Sequence, residues 1–243
     1  MTDTYRLADK CISITSLYPR VHGLCSDYRT REAADFAVET AQADIAFERA
    51  RSARENAAGE RPLRSPSDDY LETLAVYRKI AERMPDFDTV LLHGSCVAVD
   101  GAGYLFLAGS GTGKSTHTRF WRELLGERAV MVNDDKPLVR VTASGAVIFG
   151  TPWDGKHRLS RNISVPLKAM CVLERAAENS IRPLSASEAY PMLLQQAYRP
   201  MDAAAMEKTL TLIDRLAVSV GLWRLGCNMS VEAARIAYDA MKG

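Results

Sequence analysis

The chain has 243 residues, of which 47% are hydrophobic and 25% are charged, a balance typical of a folded globular protein. This composition excludes wholesale disorder and a fibrous repeat. Lysine and arginine together number 31 and aspartate and glutamate 30, so there is no global field to attract nucleic acid or an anionic membrane. We therefore expect partners to be recognised at a local site.

The cysteines and the N-terminus indicate a cytoplasmic protein. The five cysteines lack the C-x-x-C spacing of metal sites and redox dithiols. The N-terminus carries no apolar signal segment, and no later window approaches 18 uninterrupted apolar residues, which argues against secretion and membrane spanning. No histidine, cysteine or carboxylate spacing indicates zinc, and no G-x-S-x-G indicates acyl chemistry.

The first 64 residues are expected to form a small β-rich appendage and a linker. Short apolar clusters at 12–14 and 36–38 favour strands, and residues 42–51 favour a short helix. The arginine-rich run 49–64 is predicted to be a solvated loop, because glutamates dilute it and no aromatic residues are interleaved. A surface for an anionic partner is the alternative for that run.

A second domain is predicted over residues 65–243. It begins with a capping box at residues 65–68 and a helix that ends before Pro85. The apolar stripe of this helix is predicted to be Tyr70, Leu74, Tyr77, Ala81 and Met84.

The rest of this domain is predicted to alternate strands and helices. Two apolar runs joined by Asp100-Gly101 favour a hairpin over residues 90–108, and a helix follows at 115–125 with Gly126 as its C-terminal stop. Further strands are predicted at 129–132, 139–142, 146–149, 165–173 and 220–225. Further helices are predicted after a capping box formed by Ser185 and Glu188, around 206–217 and at 231–241. Pro166 indicates a sheet edge or a strand start, and Pro191 is expected to shorten or kink its helix. The expected fold class is α/β, with a mixed sheet extended by antiparallel hairpins.

Residues 108–115 match the P-loop pattern, with alanine in place of the first glycine. Glycines let the backbone N–H groups curl toward phosphates, Lys114 reaches the β and γ oxygens, and the Ser115 hydroxyl is suited to ligate Mg²⁺. A strand before the loop and a helix after it agree with this reading, because the helix N-terminus adds partial positive charge. The predicted nucleotide-binding residues are Gly109, Ser110, Gly111, Thr112, Gly113, Lys114, Ser115 and Thr116.

Two further segments carry candidate chemistry. Asp134 and Asp135 follow a predicted strand, where one carboxylate could hold Mg²⁺ and the other accept a proton, although an exposed acidic turn is the alternative. Adjacent side chains on an extended segment point oppositely, so the sequence leaves open which of the two faces a phosphate. The loop 151–162 is cationic and is either a source of transition-state stabilisation, through Lys156 and Arg161, or a solvated basic loop.

His93-Gly94, a strand-turn-strand, the loop at 110–115 and an Asp-Asp pair about 20 residues beyond it resemble the catalytic domain of the HPr kinase/phosphorylase family. The nucleotide site of that domain is similar to phosphoenolpyruvate carboxykinase. The resemblance covers roughly residues 90–175, and it implies a P-loop-containing mixed sheet of this type. By the same resemblance His93 belongs to the active-site wall, Asp134 and Asp135 are the catalytic acidic pair, and Arg161 acts on the transferred phosphate.

The resemblance implies an ATP- and Mg²⁺-dependent kinase that phosphorylates a hydroxyl. We expect Asp134 to accept the proton and Ser115 with Asp135 to hold the metal, while the sequence leaves open which aspartate is the base. The chain looks like the shorter HPr-kinase-related proteins, some of which phosphorylate serine in ribosomally made peptides. The expected partners are a nucleotide and a hydroxyl-bearing acceptor, either a peptide serine or a small molecule, and a homo-oligomer is left open. Two alternatives are a non-catalytic nucleotide sensor and a carboxykinase acting on a small acid, for which the chain is short.

Overall fold

The computed structural model describes residues 1–57 and 66–243. The end of the arginine-rich run, the cap residue Ser65 and the predicted boundary between residues 64 and 65 lie outside the described residues. The chain divides into two compact units, an N-terminal unit Met1–Glu82 and a C-terminal unit Arg83–Gly243.

The N-terminal unit contains a three-stranded sheet. Its strands are β1 (Thr2–Leu7), β2 (Lys10–Thr15) and β3 (Phe36–Glu39), with β1 antiparallel and β3 parallel to β2. Its helices are α1 (Arg20–Leu24), α2 (Gln42–Ala57) and α3 (Asp68–Arg83), whose last residue passes the division. The predicted strands are confirmed, but α2 alone has 16 residues, as many as the three strands together, so the unit is not β-rich.

The arginine-rich run is helical where the structure describes it. The helix predicted for residues 42–51 continues to Ala57, because alanine, glutamate and arginine are strong helix formers. Arg51 forms an ion pair with Glu48 at 2.9 Å, and Arg49 pairs with Asp68. The prediction of a loop over this part of the run was therefore wrong.

Helix α3 lies in the N-terminal unit because Glu72 anchors it there. Its fully buried carboxylate accepts hydrogen bonds from the backbone N–H groups of Leu17 (2.6 Å) and Tyr18 (2.8 Å) and from the Thr40 hydroxyl (2.7 Å). A buried carboxylate is tolerated when its oxygens are satisfied in this way. The predicted stripe is only partly right, because Tyr70 is 41% exposed.

The C-terminal unit is built on a mixed nine-stranded sheet. Its strands are β4 (Thr89–Leu91), β5 (Ser95–Val99), β6 (Ala102–Leu107), β7 (Ala129–Asn133), β8 (Leu138–Thr142), β9 (Gly145–Phe149), β10 (Ser164–Arg175), β11 (Ser180–Pro183) and β12 (Gly221–Cys227). The main path runs β4-β8-β9-β10-β6-β5-β7, while β12 pairs with both β10 and β11. The expectation of an α/β fold with a mixed sheet and antiparallel hairpins is confirmed.

Strand β10 changes partner along its length. Its first residues pair antiparallel with β9, and its later residues pair in parallel with β12, while β6 runs parallel along its other side. Pro166 lies in the first part, opposite Val147. It therefore marks a strand start and not a sheet edge, since a proline near the start of a strand sacrifices little of the hydrogen-bond ladder.

Helices cover both faces of this sheet. They are α4 (Lys114–Leu125), α5 (Ala186–Gln196), α6 (Ala203–Ser219) and α7 (Val231–Met241). Cys96, Leu105 and Leu107 belong to the apolar cluster with α5 and α6, whereas Val97 and Phe106 belong to the cluster with α4 and α7, as the period of two in a strand requires. Across the described residues, every helix is too short or too polar to cross a bilayer.

Two local features determine where a strand and a helix of the C-terminal unit begin. The apolar run from residue 90 is split at Gly94, where an added Cβ would lie 2.7 Å from a methyl group of Leu105. The predicted capping box at Ser185 and Glu188 is present, and the helix continues through Pro191 to Gln196. The break in the apolar run at Gly94 places His93 and Gly94 between β4 and β5, directly before β5 begins.

Candidate functional site

Three strand ends meet at one edge of the C-terminal sheet. Strand β5 is antiparallel to both of its neighbours, with Ser95 opposite Phe106 and Cys96 opposite Asn133. The start of β5 therefore lies beside the ends of β6 and β7. This register brings together three segments that are far apart in the sequence: residues 93–95, the loop 108–113 and residues 133–135.

The loop between β6 and α4 requires its glycines. Gly111 has φ = 73° and Gly113 has φ = 117°, a region of backbone conformation that L-residues rarely adopt. Gly113 is the N-cap of α4, and the helix start carries no side-chain cap and no acidic residue in its first turn. Because the first N–H groups of a helix have no partner within the helix, this end is suited to an anion.

Lys114 opens α4 with its ammonium group folded toward the sheet. Its Nζ donates to the carbonyl oxygen of Ala108 at 3.0 Å, and the residue is only 8% exposed. Burial lowers the pKa of Lys114, while the carboxylates of Asp135 and Asp134 act in the opposite direction. The cation therefore lies within electrostatic reach of both aspartates.

Asp134 is buried and held by a hydroxyl. Its Oδ1 accepts a hydrogen bond from Ser95 Oγ at 2.6 Å, and Ser95 Oγ lies 2.9 Å from the hydroxyl oxygen of Thr118. Its other oxygen faces Gly155, where an added Cβ would lie 2.9 Å from Oδ2. The carboxylate is thus fixed from the sheet side by Ser95 and from the loop side by the backbone at Gly155.

Asp135 has different partners. Its Oδ1 lies 3.4 Å from His93 Nε2, and its Oδ2 lies 3.6 Å from Lys136 Nζ. Burial, followed by the charge of Lys114, lowers the pKa of His93, so the imidazole is neutral at pH 7. The side-chain amide of Gln196 is oriented so that both its nitrogen and its oxygen are satisfied, and its nitrogen then donates to His93 Nδ1 at 3.0 Å. Because Nδ1 accepts this hydrogen bond, the proton of the neutral imidazole lies on Nε2, toward Asp135.

Asn133 connects the aspartates to the cationic loop. Its side-chain oxygen accepts hydrogen bonds from the backbone N–H groups of Asp135 (2.9 Å) and Lys136 (2.7 Å). Its amide nitrogen donates to the carbonyl oxygens of Thr151 (3.1 Å) and Trp153 (3.4 Å). This fully buried side chain therefore sets the backbone on both sides of the site.

Sequence reasoning did not identify Ser95, Thr118, Asn133 and Gln196. Asparagine directly before two aspartates at a strand end was the one signal available, because a buried amide suits a turn of this kind. The other three are polar residues within apolar or helical segments, and their partners become known only from the tertiary structure.

Two cavities flank the start of α4. The Phe120 cavity, of about 430 Å³, is lined by the loop, α4 and the ends of β10 and β12, and its residues include Gly111, Thr116, Phe120, Arg175, Cys227 and Met229. Arg175 Nη2 also donates to the carbonyl oxygen of Gly111 at 2.6 Å. The Arg122 cavity, of about 460 Å³, is lined by Ser115, Thr116, Thr118, Arg119, Arg122, Asp134, His157 and Leu159.

The cationic loop approaches the Arg122 cavity through His157 and Leu159. Its end is attached to the sheet, because Arg161 N–H donates to the carbonyl oxygen of Val132 at 3.2 Å. The side chains of Lys156 and Arg161 are exposed. Their roles toward a transferred phosphate remain predictions.

The oxygen donors at this edge suit a hard cation. Ser115 and Asp134 line one cavity, while Asp135 lies on the His93 side. In the part of the chain that the structure describes, no group of three or more histidines, cysteines or carboxylates could form a metal cage. Hydroxyl and carboxylate oxygens fit Mg²⁺, which usually keeps several waters and binds through one or two protein ligands and substrate phosphates.

Comparison with known proteins identifies the family. The profile of the family described as SynChlorMet cassette protein ScmC matches residues 68–228, well over half of the chain. The chain therefore belongs to this family. No curated protein matches it.

Among solved structures, the HPr(Ser) kinase/phosphatase from Coxiella burnetii is similar over 63% of this chain and 99% of its own, with 11% sequence identity and a TM-score of 0.36. Similarity at this level carries no argument about function.

Proposed function

We propose that the protein is an ATP- and Mg²⁺-dependent phosphotransferase of the HPr kinase type, which transfers the γ-phosphate to a hydroxyl group of a peptide serine or a small molecule. The observation that carries this proposal is the position of the glycine-rich loop. Its helix start lies between two cavities, one partly apolar and one that contains a buried carboxylate. A nucleotide bound along the loop would place its ends in different cavities.

In this arrangement the nucleoside occupies the Phe120 cavity. The N–H groups of residues 109–116 bind the phosphates, as helix N-termini and glycine-rich loops bind anions elsewhere. Lys114 Nζ exchanges the Ala108 carbonyl for phosphate oxygens, and this exchange is favourable because its buried charge then gains an anionic partner.

The acceptor hydroxyl occupies the Arg122 cavity, beside Asp134. Asp134 accepts the hydroxyl proton as the oxygen attacks the γ-phosphorus, and the bond from the γ-phosphorus to the leaving oxygen of ADP breaks. Ser95 keeps Asp134 in a single orientation throughout, because its hydrogen bond also fixes the carboxylate plane. Arg161 and Lys156 offset developing charge if the exposed loop closes over the phosphate.

Ser115 and Asp135 would hold Mg²⁺, which would supply positive charge against the phosphates. His93 positions Asp135, since its Nε2 proton faces one carboxylate oxygen. Gln196 in turn fixes the imidazole through Nδ1. His93 and Lys136 thus orient Asp135 from two sides.

The test is a pair of variants measured for nucleotide binding and for turnover. Lys114→Ala should weaken MgATP binding, measured by calorimetry, whereas the exposed Lys168→Ala should not. Asp134→Asn keeps the shape of the side chain and should lower kcat by about 10²–10⁴, with nucleotide affinity nearly unchanged. The exposed Asp214→Asn is the matched control.

Turnover is followed as labelled phosphate transferred from ATP to a panel of serine peptides and sugar alcohols. Equal loss of binding and turnover in Asp134→Asn would contradict its role as proton acceptor. Binding of MgATP with slow hydrolysis and no transfer to any hydroxyl would instead indicate a nucleotide sensor. Absence of binding to any purine nucleotide would overturn the proposal as a whole.

A further inference from the structure

We propose that the acceptor carries an oxyanionic group, a carboxylate or a phosphate ester, beside its reacting hydroxyl, and that Arg119 and Arg122 bind this group. The inference rests on the proposed function, because it names the substrate class for the Arg122 cavity. It is carried by the face that α4 presents to that cavity.

Helix α4 has three distinct faces. His117 and Trp121 turn toward the sheet, where Trp121 Nε1 donates to His117 Nε2 at 3.0 Å. Thr116 and Phe120 line the Phe120 cavity. The third face lines the Arg122 cavity with residues spaced three, four and seven apart, as one helix face requires: Ser115, Thr118, Arg119 and Arg122.

The guanidinium of Arg122 has unused hydrogen-bonding capacity. Its Nε is buried, and it has no hydrogen-bond partner among the residues that the structure describes. The Arg122 side chain lines the cavity, so its guanidinium can donate to a partner that enters there from outside the chain. A planar oxyanion is the partner that an arginine fork fits best.

The charges around the cavity favour an anion. Arg119 is also cationic, and its ion pair with Glu123, at 3.6 Å, is about half exposed and therefore weak. Asp134 is the single carboxylate that lines the cavity in the described part of the chain. The cavity is thus lined by two arginines and one carboxylate, which suits an acceptor that carries both an anionic group and a hydroxyl.

The first experiment measures anion binding with the phosphate loop already filled. The protein is saturated with Mg²⁺ and the non-hydrolysable analogue AMP-PNP, then titrated in separate arms with malonate and with inorganic phosphate by calorimetry. Arg122→Gln is compared with the wild type, with Arg122→Lys, which keeps the charge without the fork, and with the exposed Arg235→Gln on α7 as the matched control.

We expect one of the two anions to bind the loaded wild type with a Kd below about 100 mM. Binding should weaken about 10-fold or more in Arg122→Gln and less in Arg122→Lys, and it should be unchanged in Arg235→Gln. The stronger arm identifies the group as carboxylate or phosphate. Equal affinity in the wild type and Arg122→Gln, or no binding of either anion, would overturn the inference.

The second experiment compares serine peptides in matched pairs that differ only by aspartate or asparagine next to the serine. The wild type should prefer the acidic peptides, and Arg122→Gln should lose that preference while its AMP-PNP affinity is kept. Preference for the neutral peptides would contradict a carboxylate subsite. If AMP-PNP does not bind, the proposed function fails. Malonate and phosphate are then titrated into the free protein, and weaker binding in Arg122→Gln than in the wild type would still support the anion subsite.

Discussion

The hydrogen bond between Ser95 and Asp134 should be one of the stronger single interactions in the C-terminal unit. Its length is 2.6 Å, and the two residues are 0% and 7% exposed. Removal of a hydrogen bond to a charged group costs about 1.5–3 kcal/mol, and the burial of both residues limits the screening of this one. Ser95→Ala should therefore lower the free energy of unfolding by about 2 kcal/mol, a change of roughly 30-fold in the unfolding equilibrium.

The loss should come mainly from Asp134. Thr118 also contacts Ser95, but its hydroxyl keeps the carbonyl oxygens of Ser115 (3.2 Å) and Lys114 (3.3 Å) as partners. A double-mutant cycle with Ser95→Ala and Asp134→Ala isolates the pair, and its coupling energy should be about 1.5–3 kcal/mol.

The assay is urea unfolding followed by tryptophan fluorescence. All three tryptophans, Trp121, Trp153 and Trp223, lie in the C-terminal unit, so the signal reports the unit that contains the pair. Ser144→Ala, in an exposed turn, is the matched control and should change the free energy by less than about 0.5 kcal/mol. A coupling energy below about 0.5 kcal/mol would show that the carboxylate is held by something other than this hydroxyl.

Three further predictions concern the titration of His117, the space beside Asp134 and the buried carboxylate of Glu72. Burial lowers the pKa of His117 to about 4, and its neutral ring accepts a hydrogen bond from the Trp121 indole N–H. The folded state therefore binds fewer protons than the unfolded state between pH 6.5 and 4. Stability should fall by about 3 kcal/mol as pH drops through that window, and urea unfolding at pH 7 and 4.5 should show a clearly smaller drop in His117→Gln. In Gly155→Ala the added Cβ forces the Asp134 carboxylate to move, so kcat should fall about 10-fold while nucleotide affinity is kept. Unchanged turnover would show that the position of this carboxylate is not critical. Glu72→Ala leaves two backbone N–H groups and a hydroxyl unpaired and should lower the free energy of unfolding by about 3–5 kcal/mol, measured by circular-dichroism melting. A loss below about 1 kcal/mol would contradict the role of Glu72 as a buried anchor.

Most of the secondary structure could be predicted because its causes are local. The Asp100-Gly101 hairpin, the capping box at Ser185 and the glycine stop at Gly126 each depend on backbone conformations that neighbouring residues dictate. Tertiary contacts decide the rest. The first unit extends through Glu82 because buried Glu72 ties its helix to distant backbone groups, and no local signal encodes that.

By itself, the sequence determined that a glycine-rich loop with a lysine and a serine lies between a strand and a helix, since glycine backbone freedom and apolar periodicity are properties of short segments. Only the tertiary structure decided what surrounds that loop. Ser95 and Asp134, 39 positions apart, meet because antiparallel pairing brings the start of β5 beside the end of β7. Gln196, about 100 positions from His93, meets it because Leu92 forms an antiparallel bridge with Ala197 at the end of α5. Likewise, one helix provides both the phosphate-binding end and the Arg122 face, and burial of His117 and Trp121 against the sheet determines which face remains open to the cavity.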